Sequence, residues 1–329
     1  MKVIIPVAGI GSRLRPHTHT QPKALVPVAG KAILSHIIDN LTEVGINDFI
    51  FILGYLGDKV EDYIKAYYPN LNKQIIIQQP REGIGHAVWL AKDLVADDVL
   101  IVLGDTVFDV DLKKVIEQKE SSLGVKKVED PRSFGVVEID EQGFIKSVVE
   151  KPAIPKSNLA LVGLYLFRDA QKLMAALDEN IKKNIRSHGE FHLTDGINTL
   201  LHQQIKIKTF PVENWYDCGN KQSLLETNAI LLKKQSSIKK ETYQFENTII
   251  IHPVSIANGC KISNSIIGPN VSIGDHTTIH NSILNDAIIG SYSGIENAVL
   301  HHSVIGSDAS WRGLSQSLNL GDSTEIDFG

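Results

Sequence analysis

The sequence predicts an α/β fold whose sheet is mostly parallel, followed by a small domain of stacked β-coils. Over roughly the first 235 residues, short apolar runs alternate with amphipathic stretches, the pattern of strands alternating with helices. After Lys240 the charged helical sequence gives way to Ile, Val, Gly, Asn and Ser at short intervals. Isoleucines recur there every six residues, which is typical of coils that bury an apolar edge against the next coil.

The N-terminal region supplies the candidate strands and helices in alternation, and we assign it to a first domain at 1–237. The predicted strands are Val3–Val7, Asp48–Leu53, Gln74–Gln78, Val99–Leu103, Leu123–Val128, Leu161–Phe167 and Ile205–Phe210. The predicted helices are Ile33–Glu43, Lys59–Tyr67, His86–Val95, Leu112–Glu120, Ala170–Leu177, Thr194–His202 and Lys221–Lys234. Gly45 is placed to end the first helix, and Asp111 to cap the fourth.

The C-terminal region repeats a short motif at a nearly constant distance. Asn264-Ser-Ile, Asn281-Ser-Ile and Asn297-Ala-Val follow one another after 17 and 16 residues, close to three six-residue faces per turn. This resembles the hexapeptide repeat of left-handed parallel β-helices, which we predict for 245–310. A β-sandwich of irregular strands is the alternative. For the tail at 311–329 the sequence indicates no structure.

Length and composition limit the class of protein. A chain of 329 residues exceeds the ~250–300 residues at which a single core stops growing. The net charge of -5, with scattered Lys and Arg, gives no electrostatic basis for binding nucleic acid. No segment approaches the ~20 apolar residues of a membrane span. Two cysteines, Cys218 and Cys260, cannot form a disulfide framework. We therefore expect a cytoplasmic protein with neither nucleic-acid nor membrane partners.

A glycine-rich loop follows the first predicted strand and reads Gly9-Ile-Gly-Ser-Arg13-Leu-Arg-Pro16. Glycines there let backbone N–H groups approach phosphate oxygens without interference from a Cβ atom. Arg13 and the later Lys23 add positive charge, and charge-assisted bonds to phosphate are strong. Leu14 stands where a dinucleotide fingerprint has its third glycine, and no P-loop occurs in the chain. For the loop taken alone, a structural turn with a surface arginine is the alternative.

A carboxylate follows a later strand in the same manner. Leu103-Gly-Asp105 closes a predicted buried strand, and carboxyl ends of strands border the crevice where α/β sheets bind ligands. An aspartate at this place is a candidate metal ligand. A loop cap is the alternative for Asp105 alone.

The combination resembles a known family. Gly-x-Gly-Ser-Arg-Leu-x-Pro, with Pro22-Lys23 ten positions after Arg13, is similar to the signature of sugar-phosphate nucleotidylyltransferases, among them glucose-1-phosphate thymidylyltransferases and UTP–glucose-1-phosphate uridylyltransferases. Further motifs follow in family order over nearly the whole chain. The resemblance implies a Rossmann-like nucleotidyltransferase sheet, a nucleoside triphosphate and a sugar 1-phosphate as substrates, Mg²⁺ as cofactor, and an NDP-sugar and pyrophosphate as products.

The resemblance also assigns site residues. It implies catalytic roles for Arg13 and Lys23, and binding of the nucleotide by Ala8, Gly9, Gly11, Ser12, Arg13, Gln78 and Gly83, with Gln79 as the competitor of Gln78. It implies Asp105 and Asp217 as metal ligands, and Mg²⁺ does prefer a few carboxylates plus phosphate oxygens and water. It implies a sugar-phosphate pocket at Gly135, Glu150, Lys151 and Gly163. Thr194 and Asp195 lie in a further family-like segment, where we predict a helix cap instead.

The base and the sugar stay open at this point. Val7-Ala8-Gly9 and Gly83-Ile-Gly-His-Ala87 are nearer the uridylyltransferase pattern, whereas Gly163-Leu-Tyr165 and the C-terminal coils resemble long thymidylyltransferase-type proteins. The base is therefore thymine or uracil. Glucose is the sugar that the resemblance favours, with N-acetylglucosamine and mannose as alternatives.

Two other classes of protein compete with this interpretation. Hexapeptide coils also build acyltransferases that use a catalytic histidine, and the coils contain His276, His280, His301 and His302. A non-catalytic regulatory subunit that binds a sugar nucleotide is the second alternative, against which intact Arg13, Lys23, Asp105 and Asp217 argue. For the coils themselves we expect a contact between subunits, and hence a homo-oligomer.

Overall fold

The computed structural model describes residues 1–238 and 242–313, so the predicted tail lies outside it from residue 314 onward. Within these residues the α-helices are α1 Ile33–Glu43, α2 Gly57–Tyr67, α3 Ile84–Trp89, α4 Leu112–Ile116, α5 Ala170–Lys182, α6 Leu193–His202 and α7 Lys221–Ile238. No helix in the described ranges has the length and apolarity that crossing a membrane requires. The chain divides into two units, Met1–Pro27 with Lys31–Thr227, and Val28–Gly30 with Asn228–Gly329.

The strands up to residue 217 form the sheet framework of the α/β region. They are β1 Lys2–Val7, β2 Pro27–Val28, β3 Lys31–Ala32, β4 Asp48–Leu53, β5 Asn72–Ile77, β6 Val99–Val102, β7 Thr106–Asp109, β8 Ser122–Lys127, β9 Gly135–Ile139, β10 Ile145–Glu150, β11 Leu159–Phe167, β12 Lys208–Pro211 and β13 Asn214–Asp217. The central sheet runs β10-β9-β11-β6-β1-β4-β5, with β8 beside β11 and β12 beside β8.

The parallel part of this sheet positions the loops that matter for function. β6, β1, β4 and β5 are parallel neighbours, and Ile4 of β1 pairs with both Ile50 and Ile101. All three of these isoleucines are buried. Because parallel strands end at the same edge, the loops after β1, β5 and β6 meet there. The α/β prediction with a largely parallel sheet is confirmed, while β11 adds an antiparallel flank through its pairing with β6, β8 and β9.

Several predicted boundaries of helices and strands are wrong. α3 begins at Ile84 and ends at Trp89, followed by a 3-10 turn, where a longer helix at His86–Val95 was predicted. α4 ends at Ile116 and not at Glu120. The last predicted strand of this region, Ile205–Phe210, is β12 Lys208–Pro211.

Six strands of the α/β region were not predicted, namely β2, β3, β7, β9, β10 and β13. β9 and β10 form an antiparallel hairpin whose turn contains Gly143 at φ 81°. β7 and β13 form a separate antiparallel ribbon, with Asp217 opposite Thr106. The two strands of this ribbon lie far apart in the sequence, so their pairing depends on the tertiary fold.

The second unit consists of short parallel strands stacked in register. They are β14 Ile249–Ile250, β15 Val254–Ile256, β16 Lys261–Ser263, β17 Ile266–Ile267, β18 Val271–Ile273, β19 Thr278–His280, β20 Ile283–Ile289, β21 Gly294–Glu296, β22 Val299–Ile305 and β23 Ser310–Arg312. Ile262, Ile279 and Ile295 pair in one buried column, at intervals of 17 and 16 residues. The parallel pairing at the predicted interval is compatible with a β-helix.

Candidate active site

The loop after β1 is shaped by Gly11, whose backbone lies in the left-handed region at φ 67°. It caps a 3-10 turn over Ser12–Leu14. A Cβ atom at Gly11 would lie 3.0 Å from Lys23 Cβ and 3.1 Å from Thr18 Cγ2, so any side chain there would push the Lys23 segment away. Thr18 Oγ1 donates a hydrogen bond to Gly11 O at 2.9 Å. Gly11 is therefore required both by conformation and by the close approach of Lys23.

Lys23 meets the candidate metal ligand directly. Its Nζ lies 2.6 Å from Asp105 Oδ2, in an ion pair between residues 82 positions apart. The Lys23 side chain is 12% exposed and that of Asp105 39%, so solvent screens this ion pair only in part. Burial opposes ionisation of Asp105, but the charge and hydrogen bond of Lys23 outweigh it and lower the pKa of Asp105. The carboxylate is therefore charged at neutral pH.

Arg13 and Asp217 lie close to Gly219, near the ion pair of Lys23 and Asp105. A Cβ atom at Gly219 would lie 2.8 Å from Arg13 Nη2 and 2.7 Å from Asp217 Oδ2. The β7–β13 ribbon sets Asp217 opposite Thr106, the residue next to Asp105. Burial, followed by the charge of Asp105, raises the pKa of Asp217. Two carboxylates thus repel each other across a site that also holds two cations.

This arrangement fits a hard divalent cation. Within the described ranges no cluster of three or more His, Cys, Asp or Glu side chains is placed to hold a metal. Asp217 ends β13, and Asp105 directly precedes its partner strand β7, so the ribbon brings these two aspartates near each other. Mg²⁺ is held in this way, by one or two carboxylates that leave positions for substrate phosphates and water.

A cavity of ≈ 560 Å³ opens beside these residues. Of the predicted site residues, its lining includes Ala8, Gly9, Gly11, Ser12, Arg13, Lys23, Gln78, Gly83 and Asp105. It also includes residues that the sequence analysis did not assign, namely Arg81, Ile84, Ala87 and Glu190. Gln78 is 3% exposed and lines the cavity, whereas its competitor Gln79 is exposed. The glycine-rich loop therefore shares one concave space with the candidate base-reading segment.

The predicted sugar-phosphate residues Gly135 and Glu150 form a second group beside α6. They face each other across the β9–β10 hairpin. Glu150 Oε2 accepts a hydrogen bond from Thr194 Oγ1 at 3.3 Å, and its Oε1 lies 3.7 Å from Lys151 Nζ. Lys151 adopts φ 42°, a conformation that costs a non-glycine residue energy and that clusters at functional sites. The structure thus brings Gly135, Glu150 and Lys151 together.

Gly163 and Tyr165 both lie on β11. A Cβ atom at Gly163 would lie 2.9 Å from the Leu103 side chain, two residues before Asp105. Burial raises the pKa of Tyr165, and the charges of Glu150 and Asp105 raise it further. Gly163 therefore lies close to the segment that leads to Asp105.

The segment before α6 behaves only in part as a helix cap. Asp195 accepts a hydrogen bond from the backbone N–H of His192 at 3.3 Å, in a capping-box arrangement, and one from Ser187 Oγ at 2.7 Å. Thr194 has a different partner, because its hydroxyl donates to Glu150. The sequence alone does not distinguish the role of Thr194 from that of Asp195.

This chain is similar to known proteins over most of its length. The nucleotidyl transferase family profile matches residues 2–234. A low-salt glycan biosynthesis nucleotidyltransferase of Haloferax volcanii is 35% identical over 76% of this chain and 71% of that protein. A glucose-1-phosphate thymidylyltransferase of Streptomyces griseus is 30% identical over 88% and 87%, respectively. The bifunctional protein GlmU of Methanocaldococcus jannaschii is 36% identical, but the match spans 79% of this chain and only 61% of that protein.

A solved structure is also similar to this chain. A Bacillus anthracis protein described as a candidate glucose-1-phosphate thymidylyltransferase, in complex with sucrose, superposes with a TM-score of 0.61 at 29% identity. The superposition covers 74% of this chain and 97% of that one.

Proposed function

Since the chain belongs to the nucleotidyl transferase family, we propose that it transfers the nucleotidyl group of a pyrimidine nucleoside triphosphate to a sugar 1-phosphate, releasing pyrophosphate. The observation that carries this proposal is the meeting of Arg13, Lys23 and Asp105 on one wall of a cavity that Gln78 lines on another. Cations beside a glycine-rich loop suit a triphosphate, and a buried amide suits a base edge.

The nucleotide occupies the cavity in this proposal. Backbone N–H groups of Gly9, Gly11 and Ser12 face the phosphates, and Arg13 neutralises the β- and γ-phosphates. The base reaches Gln78 and Gly83. The newly assigned lining residues fit the same ligand, because Arg81 adds positive charge and Ile84 adds apolar surface beside Gly83.

The sugar 1-phosphate binds beside Glu150. Glu150 is held on three sides by Thr194, Lys151 and the hairpin partner Gly135, so its carboxylate is already oriented for sugar hydroxyls. Lys151 is about half exposed and binds the phosphate of the sugar. Tyr165 is buried in β11, the strand that also carries Gly163.

The reaction requires little covalent chemistry from the protein. An oxygen of the sugar phosphate attacks the α-phosphorus in line, and the bond to the leaving pyrophosphate breaks. Positioning and neutralisation of charge supply most of the rate acceleration in such displacements. Lys23 stabilises charge near the reacting phosphorus, and Asp105 holds the Lys23 ammonium in place. Asp105 and Asp217 would hold Mg²⁺, which when bound would neutralise and orient phosphate oxygens.

We propose dTTP or UTP as the nucleotide and glucose 1-phosphate as the sugar. The Streptomyces griseus relative is named for glucose 1-phosphate and thymidylyl transfer, and it aligns over 88% of this chain. The Haloferax volcanii relative is named for glycan biosynthesis, which fits a product that donates sugar to a polysaccharide.

A pyrophosphate-release panel tests the proposal. We expect dTTP or UTP with glucose 1-phosphate and Mg²⁺ to give the fastest release, compared with ATP, GTP and CTP and with N-acetylglucosamine 1-phosphate and mannose 1-phosphate. Release must require both substrates, since hydrolysis of the triphosphate alone would point to a different reaction. No release from any pair would overturn the proposed function.

For the C-terminal unit we propose a left-handed parallel β-helix that joins subunits into a homo-oligomer. Ile249, Ile266, Ile283 and Val299 stack in register on one face. Three of these four are exposed, Val299 at 72%. Such a stripe of β-branched residues is suited to a contact with a second copy. Light scattering coupled to size exclusion measures the mass, and a monomer at micromolar concentration would refute the oligomer.

A further inference from the structure

The side chain of Gln78 is held in one orientation inside the cavity. Gln78 follows β5, and its Nε2 lies 2.9 Å from Gly83 O and 3.2 Å from His86 Nδ1. A carbonyl oxygen only accepts hydrogen bonds, so the amide nitrogen of Gln78, and not its oxygen, must face Gly83. The second N–H of the same group then points at His86. Both donors of the amide are therefore used within the protein.

His86 is placed to act as the second acceptor. It lies in α3, is 7% exposed, and packs its ring against Trp89 at 5.8 Å between centroids. Trp89 is fixed in turn by a hydrogen bond from its Nε1 to Asp178 Oδ1 at 3.0 Å. Burial lowers the pKa of His86; the charge of Glu82 opposes this and that of Arg186 adds to it. A neutral ring leaves Nδ1 free to accept from Gln78.

The other end of the amide is the part left for a ligand. Within residues 1–238 and 242–313, Gln78 Oε1 has no hydrogen-bond partner. Gln78 nevertheless lines the cavity and is almost fully buried. The only polar group that it offers to a bound base is therefore a hydrogen-bond acceptor.

We propose that His86 and Gly83 lock Gln78 as an acceptor-only reader, so that the cavity selects pyrimidines carrying a ring N–H and rejects cytosine. Uracil and thymine donate from N3, whereas cytosine presents a lone pair at that atom. Two acceptors facing each other in a buried site repel and leave both groups unpaired. The inference rests on the proposed function only in taking the cavity as the base site. His86 is a positioning residue, since it acts through Gln78.

The fixed orientation of the Gln78 amide gives a reason why dTTP and UTP are hard to tell apart as substrates. Thymine and uracil differ by a methyl group on C5 and share the N3–H, so Gln78 reads them alike. Sites built to hydrogen-bond a substrate group reject analogues lacking it far more strongly than apolar pockets reject a methyl group. We therefore expect the cavity to accept both UTP and dTTP and to discriminate against CTP.

A matched pair of substitutions at His86 tests the lock. His86→Leu removes one of the two acceptors that fix the amide, so the Gln78 side chain can rotate and present an N–H group to cytosine N3. His86→Asn keeps an acceptor oxygen near the position of Nδ1. We expect His86→Leu to lower the ratio of kcat/KM for UTP over CTP by at least tenfold, and His86→Asn to stay within threefold of the wild type. Should His86→Leu not fold, His86→Met fills the same space without a nitrogen acceptor.

The ratio of kcat/KM for UTP over CTP distinguishes a loss of Gln78 positioning from a general structural defect. A structural defect lowers the rate with both nucleotides equally, so an unchanged ratio in His86→Leu would overturn the proposal. A wild type that prefers CTP, or a His86→Asn variant that behaves like His86→Leu, would also overturn it.

Binding measurements keep this inference distinct from the proposed function. If the wild type releases no pyrophosphate with any pair of substrates, the proposed function fails, and calorimetric titration with UMP and CMP still tests the lock. We then expect the wild type to bind UMP more tightly than CMP and His86→Leu to lose at least tenfold of that preference. Equal affinity of the wild type for UMP and CMP would refute the lock alone.

Discussion

The cleft of the first unit and the coils of the second are built on opposite principles. In the cleft, Lys23 and Asp105 form an ion pair across 82 positions of sequence. In the coils, Ile262 pairs with Ile279, and Ile279 with Ile295, so each residue meets its counterpart one turn away. The cleft therefore depends on the topology of the sheet, whereas the coils depend on a local repeat. Substitutions should consequently remove chemistry in the first unit and stability in the second.

The largest expected effect is in the cleft, at Asp105. Asp105→Asn removes a proposed metal ligand and leaves Lys23, which is 12% exposed, without its counter-charge. We expect transfer activity to fall to background and a magnesium titration to show no stimulation. Asp130→Asn, at an exposed aspartate paired only with Arg132, is the control and should titrate like the wild type. An unchanged magnesium response of Asp105→Asn would show that this carboxylate does not hold the metal.

Lys23→Ala comes next and separates charge from metal binding. Loss of the ammonium beside the reacting phosphorus should lower kcat by about a thousandfold, as for the removal of one charge-stabilising donor in other enzymes. The fold should persist, because Lys23 stabilises Asp105 and no hydrophobic core residue. Lys172→Ala, at a surface ion pair with Asp169, should leave kcat unchanged. Near wild-type turnover of Lys23→Ala, with far-UV circular dichroism intact, would contradict the role given to Lys23.

In the coils, the expected loss is one of stability. Ile279 is fully buried between Ile262 and Ile295. Ile279→Ala should destabilise this unit by about 2–5 kcal/mol, the usual cost of deleting a large core side chain. Thr278→Ala is the matched control on the same strand, because Thr278 is exposed. Chemical denaturation should separate the two variants; equal destabilisation would mean that the column of isoleucines is not the core.

A smaller effect is expected at the corner of a coil. Asn281 adopts φ 48°, and so do its counterparts Asn264 and Asn297 within a few degrees. Asparagine tolerates this left-handed conformation, whereas alanine loses roughly 1 kcal/mol there. Asn281→Ala should therefore lower the unfolding midpoint, and Asn281→Gly, which has no Cβ atom, should lower it less. The reverse order would contradict the backbone explanation, because both variants lose the side-chain hydrogen bond from Asn281 to Asn297, at 3.3 Å, alike.

The two cysteines allow the two units to be compared without a mutation, because each unit contains one of them. Cys218 is fully buried, and its burial raises its pKa to about 12. Cys260 is partly exposed, with a smaller rise in pKa of the same cause. Because the thiolate is the reactive form, iodoacetamide at pH 8 should modify Cys260 slowly and Cys218 only after denaturation. Peptide mass spectrometry reads both sites, and earlier modification of Cys218 would indicate that the cleft opens more readily than the coils.

Much of this molecule could be read from local sequence. The helix at Ile33–Glu43 and the strand at Asp48–Leu53 were predicted at their observed boundaries, because each has a clear apolar period and a clear end. The glycine-rich loop was recognised because Gly11 needs a conformation that other residues avoid. The hairpin of β9 and β10 was missed, although Asp140 to Gly143 between two alternating segments is a turn signal that could have revealed it.

Other features had no local signal. His86 looked like an ordinary residue at the start of a helix, and only the return of α3 beside β5 places its ring 3.2 Å from Gln78. Glu190 and Arg81 line the cavity. Both stand in segments that the family resemblance covers, but the resemblance gave neither of them a role. The ribbon of β7 and β13 likewise forms between segments with no mutual signal in the sequence.

The sequence by itself determined the period of the coils, the alternation of strands and helices, and the residue types of the loop that follows β1. These are properties of neighbours along the chain, where apolar period and backbone preference act within a few residues. Only the tertiary structure decided which carboxylates meet, that Thr194 binds Glu150 while Asp195 caps α6, and which end of the Gln78 amide faces the cavity. The meeting of the carboxylates and the bond of Thr194 to Glu150 depend on sheet order and register, which join positions too far apart for a local preference to specify. The contacts of Gln78 and Asp195 span eight positions or fewer, but they require the backbone path of the loops before α3 and α6.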